Sequence, residues 1–103
     1  MASGKTVTRY GRLTAKAGKG AELGALLVEA ASLNAQGEGC LQYEVNAAAG
    51  DPDLIWVTEK WASREAIDRS LESEETKALF AKARPLIEVM EMVELKPLGG
   101  IGA

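Results

Sequence analysis

The chain of 103 residues contains no histidine and only one cysteine, Cys40. Without histidine it cannot form a Ser-His-Asp triad, a zinc site with imidazole ligands or a histidine-ligated haem, and one thiolate cannot form a metal cage. A single cysteine also excludes an internal disulfide framework and favours a reducing compartment. Any catalysis must therefore rely on carboxylates, hydroxyl groups, aromatic rings and the shape of a pocket.

Charge and the lengths of apolar runs exclude further classes of protein. The 15 acidic and 12 basic residues give a net charge of −3, and no basic cluster suits nucleic-acid phosphates. No apolar run approaches the roughly 20 residues of a membrane-spanning helix, and the N-terminal residues lack the apolar core of a signal peptide. We therefore expect a cytoplasmic protein that binds neither nucleic acid nor membranes.

Residues 6–98 carry the periodic patterns of one small domain, between a flexible N-terminus, residues 1–5, and a flexible glycine-rich tail, residues 99–103. Alternation and helical spacing predict four strands and three helices. The strands are predicted at 5–16, 40–47, 54–61 and 87–96, and the helices at 21–34, 63–71 and 76–84. This order is typical of the ferredoxin-like βαββαβ fold, an α+β architecture in which helices cover one face of an antiparallel sheet.

The last two predicted strands carry large apolar side chains on both faces. Trp56 and Trp61 point to opposite sides of the third strand, and Met90 and Met92 alternate with Val93 in the fourth. An antiparallel sheet with one face in water alternates between apolar and polar residues. We therefore expect the helix-free face to be buried in a homodimer that packs sheet to sheet, with the two methionines in the interface.

Three stretches, residues 11–16 (GRLTAK), 39–45 (GCLQYEV) and 59–66 (EKWASREA), resemble the antibiotic-biosynthesis-monooxygenase-like family. The resemblance covers residues 6–98. It implies a dimeric α+β barrel, in which two ferredoxin-like sheets face each other and each subunit keeps a cavity between its sheet and its helices. Characterised members of this family include cofactor-independent monooxygenases acting on quinols or polycyclic aromatic polyketides, and relatives that bind and degrade haem.

The chain departs from the pattern of this family at several positions. Quinol-type members commonly carry histidines at positions that match Ser70 and Glu75. The haem-degrading relatives place a tryptophan and an iron-ligating histidine at positions matching Ser70 and Phe80, with an asparagine matching Gly11. None of these haem-handling residues is retained, so we expect neither haem nor a metal nor any other cofactor.

Two residues are candidates for catalysis. Cofactor-free oxygenation of a phenol needs a base, donors that hold the resulting anion and a cavity without water. Glu59 is the best candidate base, because burial beside an indole would strengthen it, and Tyr43 on the adjacent strand could donate its hydroxyl to a developing phenolate. The structural alternatives are a Glu59 that pairs with the backbone or with a lysine or arginine, and a buried Tyr43 with a satisfied hydroxyl.

The candidates for substrate binding are Trp56, Trp61, Arg9, Ser70, Phe80 and Arg84. Only one tryptophan can line a given face of the strand, so one is expected to stack on a flat aromatic substrate and the other to pack in the core or the dimer interface. The two arginines could neutralise an anionic substrate or form structural ion pairs, and Arg84 also suits a helix C-terminus. Ser70 and Phe80 are candidates through their matched positions in the family.

These patterns and the resemblance predict a homodimeric monooxygenase that oxidises a quinol or polycyclic phenol with O2. Two alternatives stay open. One is a non-enzymatic module that binds a small hydrophobic aromatic metabolite in the same cavity. The other is a cofactor-free isomerase or cyclase, in which the same carboxylate moves protons on an aromatic precursor.

Overall fold

The structure is a computed structural model that describes residues 6–102. Its elements are β1 (Val7–Ala15), α1 (Gly20–Gln36), β2 (Cys40–Ala48), β3 (Asp51–Trp61), α2 (Arg64–Glu72), α3 (Glu74–Ala83), a 3-10 turn (Arg84–Leu86) and β4 (Ile87–Leu95). This order confirms the predicted ferredoxin-like βαββαβ fold of the α+β class. The predicted flexible N-terminus, residues 1–5, lies outside the described residues, as does the last residue of the tail.

The four strands form one antiparallel sheet in the order β2-β3-β1-β4. In the register of this sheet, Glu59 on β3 lies opposite Arg9 on β1 and opposite Tyr43 on β2. Side chains of directly opposed residues in antiparallel strands stand on the same face. The register therefore places these three polar side chains together on the face that the helices cover.

The hydrophobic core fills the layer between the sheet and the helices. Its buried members come from alternate positions of β1 and β3, from one stripe of α1 and from the end of α3, namely Leu13, Ala15, Leu23, Leu27, Ile55, Val57, Ala83 and Leu86. A smaller cluster of Trp61, Ala66 and Ile67 lies beneath α2. One polar residue of β3, Glu59, is buried between the two clusters.

Two serines set where the second and third helices begin. The Ser63 hydroxyl accepts a hydrogen bond from the backbone N–H of Ala66 (3.2 Å), and the Ser73 hydroxyl accepts one from the N–H of Thr76 (3.4 Å). Both bonds satisfy helix N–H groups that have no partner within the helix. Because Ser73 is the cap, α3 begins two residues before the predicted start.

The first helix is tied to the beginning of β3 by Asp53. Its carboxylate accepts hydrogen bonds from the backbone N–H groups of Gly18 (2.9 Å) and Gly20 (2.8 Å). A carboxylate at a helix N-terminus satisfies these donors and complements the positive end of the helix dipole. The backbone of Gly20 lies so close to β3 that a Cβ added there would be 1.9 Å from the carbonyl oxygen of Pro52.

The other face of the sheet carries no helix among the described residues, and we call it the open face. Tyr10, Val89, Val93 and Leu95 on this face are substantially exposed. The register of β4 places Met90 opposite Leu13 and Met92 opposite Gly11, on the helix side of the sheet. Both methionines are substantially exposed on this side of the edge strand, and their place in a dimer interface stays a prediction. No helix among residues 6–102 has the length and apolar composition needed to cross a membrane.

Candidate functional site

A chamber of about 70 Å³ lies between the sheet and the three helices, and we call it the inner chamber. Six of the eight residues predicted for the site line it: Arg9, Tyr43, Glu59, Trp61, Ser70 and Phe80. The rest of the wall is mainly apolar and includes Leu13, Leu27, Val57, Ile67, Leu71, Met90 and Met92. The fold therefore brings a carboxylate, a phenol, an indole and a guanidinium group to one largely apolar space.

Glu59 is the buried charged group of this chamber, with 5% of its surface exposed. Its Oε1 accepts a hydrogen bond of 2.8 Å from the indole N–H of Trp61 and lies 3.7 Å from Nη1 of Arg9. A buried carboxylate is stable only when it is paired in this way. The contact with Arg9 matches the structural alternative that the sequence offered for Glu59. The same carboxylate also lines the chamber, as expected of a base.

Tyr43 faces Glu59 from the neighbouring strand. Burial first, and then the negative charge of Glu59, raise the pKa of the Tyr43 phenol well above its ordinary value. Both causes disfavour the phenolate form, since a buried anion is poorly solvated and is repelled by a second anion. Tyr43 therefore keeps its proton at neutral pH and is available as a hydrogen-bond donor.

Ser70 reaches the chamber from α2, and its hydroxyl donates a hydrogen bond of 2.7 Å to Oδ1 of Asn34 near the end of α1. Sequence reasoning missed Asn34 and also Thr76, which is buried on α3. Helical spacing could have identified both residues. Asn34 follows the buried Ala30 by four positions and Thr76 precedes the buried Leu79 by three, so each is a polar residue on the apolar face of its helix.

A second and larger space of about 450 Å³ adjoins the first, and we call it the outer chamber. Four residues line both chambers: Asn34, Trp61, Ser70 and Thr76. The other polar residues of the outer chamber are Gln36, Glu38, Arg69, Ser73 and Glu75. Several of these side chains are exposed, so the outer chamber opens to solvent.

Two predicted site residues do not join the others. Trp56 lies on the open face, where its ring meets Tyr10 edge-on with centroids 6.2 Å apart and the guanidinium of Arg12 lies 6.0 Å from the ring centroid. Arg84 is exposed on the 3-10 turn that follows α3. The structure therefore decides which tryptophan lines the chamber between sheet and helices: it is Trp61, which is 3% exposed.

The thiol of Cys40 is half-buried beside the cluster of Trp61, Ala66 and Ile67. Its Sγ donates a hydrogen bond of 3.6 Å to the carbonyl of Gln42, and burial raises the pKa of this thiol. A raised pKa lowers the fraction of reactive thiolate at neutral pH. Within residues 6–102 there is no group of three or more cysteine, aspartate and glutamate side chains arranged to hold a metal ion.

Known structures share this architecture along nearly the whole chain. A candidate antibiotic biosynthesis monooxygenase from Chloroflexus aurantiacus J-10-fl is 39% identical, with a TM-score of 0.83 over 94% of this chain and 97% of that chain. SnoaB from Streptomyces nogalater, a cofactor-independent oxygenase solved as a variant, has a TM-score of 0.83 at 17% identity over 96% of this chain and 99% of that chain.

Similarity to the PA3566 protein from Pseudomonas aeruginosa shows the same fold, with a TM-score of 0.85 at 21% identity over 96% of this chain and 100% of that chain. None of the curated proteins matches this chain. The family model described as antibiotic biosynthesis monooxygenase matches residues 6–82. By this match and the 39% identity to the Chloroflexus protein, the chain belongs to the antibiotic biosynthesis monooxygenase family.

Proposed function

We propose that this protein is a cofactor-independent monooxygenase that oxidises a quinol or polycyclic phenol with O2. One observation carries the proposal: both contacts to the Glu59 carboxylate, from Trp61 and from Arg9, end at Oε1. The carboxylate is thereby held in place while Oε2 is free of these two contacts. A fixed carboxylate with an available oxygen in an apolar chamber is suited to accept a proton from a phenol.

The reaction begins when Oε2 of Glu59 takes the proton of a substrate hydroxyl. The protonated phenol of Tyr43 then donates a hydrogen bond to the phenolate oxygen, and Arg9 offsets the added negative charge. Phenolate formation is the step that needs the protein, because the electron-rich anion can pass electrons directly to O2. Apolar walls, which include Phe80 and the buried Val57, limit the access of water to that anion.

The overall oxidation balances without any further reductant. The substrate gives up four electrons to one molecule of O2. One oxygen atom bonds to a ring carbon of the substrate, and the other leaves as water together with two hydrogens that the substrate loses. For a hydroquinone the product is a hydroxyquinone, and for a phenol that is oxidised at a second ring position the product is a quinone.

We further propose that the protein acts in the cytoplasm as a homodimer joined through the open face. Exposed apolar side chains on that face, such as Val93, support this assembly. Light scattering of the native protein should give the mass of a dimer, and Val93→Glu should give a monomer. The control is Val28→Glu, because Val28 is equally exposed but lies on α1. A native monomer at micromolar concentration would contradict the proposed assembly.

Oxygen consumption tests the proposed reaction. Purified protein, stripped of metal ions, is mixed with a panel of hydroquinones and polycyclic phenols, and the autoxidation of each substrate is subtracted. We expect uptake of O2 that depends on the protein and is lost in Glu59→Gln. Ligands that quench the fluorescence of Trp61 without any O2 uptake would instead favour a binding module, and product formed without O2 would favour an isomerase or cyclase.

A further inference from the structure

We infer that the outer chamber is a second binding subsite, which takes an uncharged, hydroxyl-rich substituent of the substrate, and that the Asn34–Ser70 hydrogen bond is the partition between the two chambers. This inference rests on the proposed function, because it names the kind of phenol that the site accepts. It assigns a role to the polar residues of the outer chamber, which the proposed reaction does not use.

The volumes of the two chambers support a substrate with two parts. The inner chamber, at about 70 Å³, lies well below the range of about 300–1,000 Å³ that is typical of ligand pockets. The outer chamber, at about 450 Å³, lies within the range of about 300–1,000 Å³ that is typical of ligand pockets. Trp61 lines both spaces, so a phenolic ring beside the indole can direct its hydroxyl to Glu59 and its substituent outwards.

The chemistry of the outer chamber selects the kind of substituent. Its wall carries the guanidinium of Arg69 together with the carboxylates of Glu38 and Glu75, so neither sign of charge dominates strongly. Amide and hydroxyl groups supply both donors and acceptors, from Asn34, Gln36, Ser70, Ser73 and Thr76. Hydroxyl groups of a sugar or another polyol can both donate hydrogen bonds to such a wall and accept them from it. A charged substituent would instead face groups that repel it as well as groups that attract it.

The partition is a single hydrogen bond between two helices that both pack on α3 and β3. Helix α1 packs mainly on β2, α3 and β3, and helix α2 packs on α3 and β3. The bond of 2.7 Å from Ser70 to Asn34 joins them at the boundary of the two chambers. A hydroxyl-rich substituent can replace both halves of this bond, because it offers a donor to Asn34 Oδ1 and an acceptor to Ser70 Oγ.

Binding measurements on matched phenols test the inference without any need for turnover. Trp56→Phe serves as the background, so that quenching reports on Trp61. The probes are 4-methoxyphenol, 4-hydroxyphenyl glucoside, 4-hydroxyphenylacetate and tyramine. We expect the glucoside to bind about tenfold more tightly than 4-methoxyphenol, as two or three additional hydrogen bonds would provide. The two charged phenols should gain no such advantage.

Two variants separate the role of the partition from a general loss of structure. Ser70→Ala and Asn34→Leu should reduce the preference for the glucoside to about twofold or less, because each variant removes one half of the partition. The preference is the ratio of two Kd values measured on the same variant, so a general change in phenol binding cancels. The matched controls are Ser32→Ala, on the exposed side of α1, and Asn46→Leu, on the open face. Both controls should keep the tenfold preference.

Equal affinity for the glucoside and 4-methoxyphenol, tightest binding of a charged phenol, or no binding of the glucoside would each overturn the subsite. So would an undiminished preference in both variants. The proposed reaction fails separately: a protein that prefers the glucoside but never consumes O2 has the subsite without the oxygenase activity. Conversely, a protein that consumes O2 but shows no preference for the glucoside has the oxygenase activity without the subsite.

Discussion

The indole N–H of Trp61 donates a 2.8 Å hydrogen bond to the carboxylate of Glu59, two residues earlier on β3. Residues two apart on a strand share a face, so both side chains enter the layer between the sheet and the helices. It satisfies a buried indole and holds a buried carboxylate at the same time. By holding Oε1, this bond also positions Oε2, the oxygen proposed to accept a substrate proton.

Replacing the proposed base should remove most of the activity. In Glu59→Gln the side chain keeps its shape but cannot accept the phenol proton, so the rate of O2 uptake should fall by about 10²–10⁴-fold. Quenching of Trp61 should show that the phenol still binds. The matched control is Glu44→Gln, on the open face of β2. Wild-type rates in Glu59→Gln would contradict the role of this carboxylate.

Loss of the indole N–H should weaken the fold more at one tryptophan than at the other. Trp61→Phe leaves the buried Glu59 without its hydrogen bond, and we expect the free energy of unfolding to fall by about 1–3 kcal/mol. Trp56→Phe is the control, because Trp56 is only half-buried and lies on the open face. Urea unfolding followed by circular dichroism measures both, and equal losses would argue against the importance of the Glu59 bond.

The tie between Asp53 and the start of α1 should contribute measurable stability. Asp53→Ala removes the acceptor of two backbone N–H groups, those of Gly18 and Gly20. The expected loss is about 1–2 kcal/mol in the free energy of unfolding, as for other helix caps. Asp68→Ala, at an exposed position within α2, should cost much less. A loss in Asp53→Ala no larger than in this control would refute the capping role.

Two glycines of α1 should respond to alanine with opposite signs. A Cβ at Gly20 would lie 1.9 Å from the carbonyl oxygen of Pro52, so Gly20→Ala must displace the helix from β3 and should destabilise the protein. A Cβ at Gly24 would meet only Cδ1 of Ile55 at 3.9 Å. Gly24→Ala should therefore add about 0.5–1 kcal/mol through helix propensity. Thermal unfolding distinguishes the two, and a change of the same sign in both would contradict the close approach at Gly20.

The raised pKa of Tyr43 should make the protein lose stability at alkaline pH. Above about pH 10 the tyrosine of the unfolded chain ionises, while the folded protein keeps this proton. The native state then binds more protons, so the free energy of unfolding falls as the pH rises, by up to about 1.4 kcal/mol per pH unit for this group.

Tyr43→Phe removes that contribution, and its unfolding free energy should fall less steeply above pH 10. Urea unfolding between pH 8 and 11 measures the slope for both proteins. At pH 8, where the tyrosine is protonated in both states, the comparison gives the cost of losing the hydroxyl alone. Parallel slopes above pH 10 would show that the folded state does not hold the Tyr43 proton.

Several features of the site follow from local patterns in the sequence. Alternation along β3 predicts that Trp56 and Trp61 lie on opposite faces, and helical spacing predicts α2 and α3 to within two residues of their observed starts. Six of the eight predicted site residues line the inner chamber. Strand parity places those on β1, β2 and β3 on one face, whereas Ser70 and Phe80 were predicted only from their matched positions in the family. Arg84 is absent from the chamber because a position near the end of a helix does not show which side of the molecule that end reaches.

The sequence by itself determined the order of the elements and the opposite parity of the two tryptophans, because backbone geometry repeats every two residues in a strand and about every 3.6 in a helix. Tertiary structure alone decided which face of the sheet the helices cover, and hence that Trp61 rather than Trp56 joins Glu59. It also decided that Asn34 and Ser70 meet between α1 and α2. Such contacts depend on how whole elements pack, and no local pattern along the chain records them.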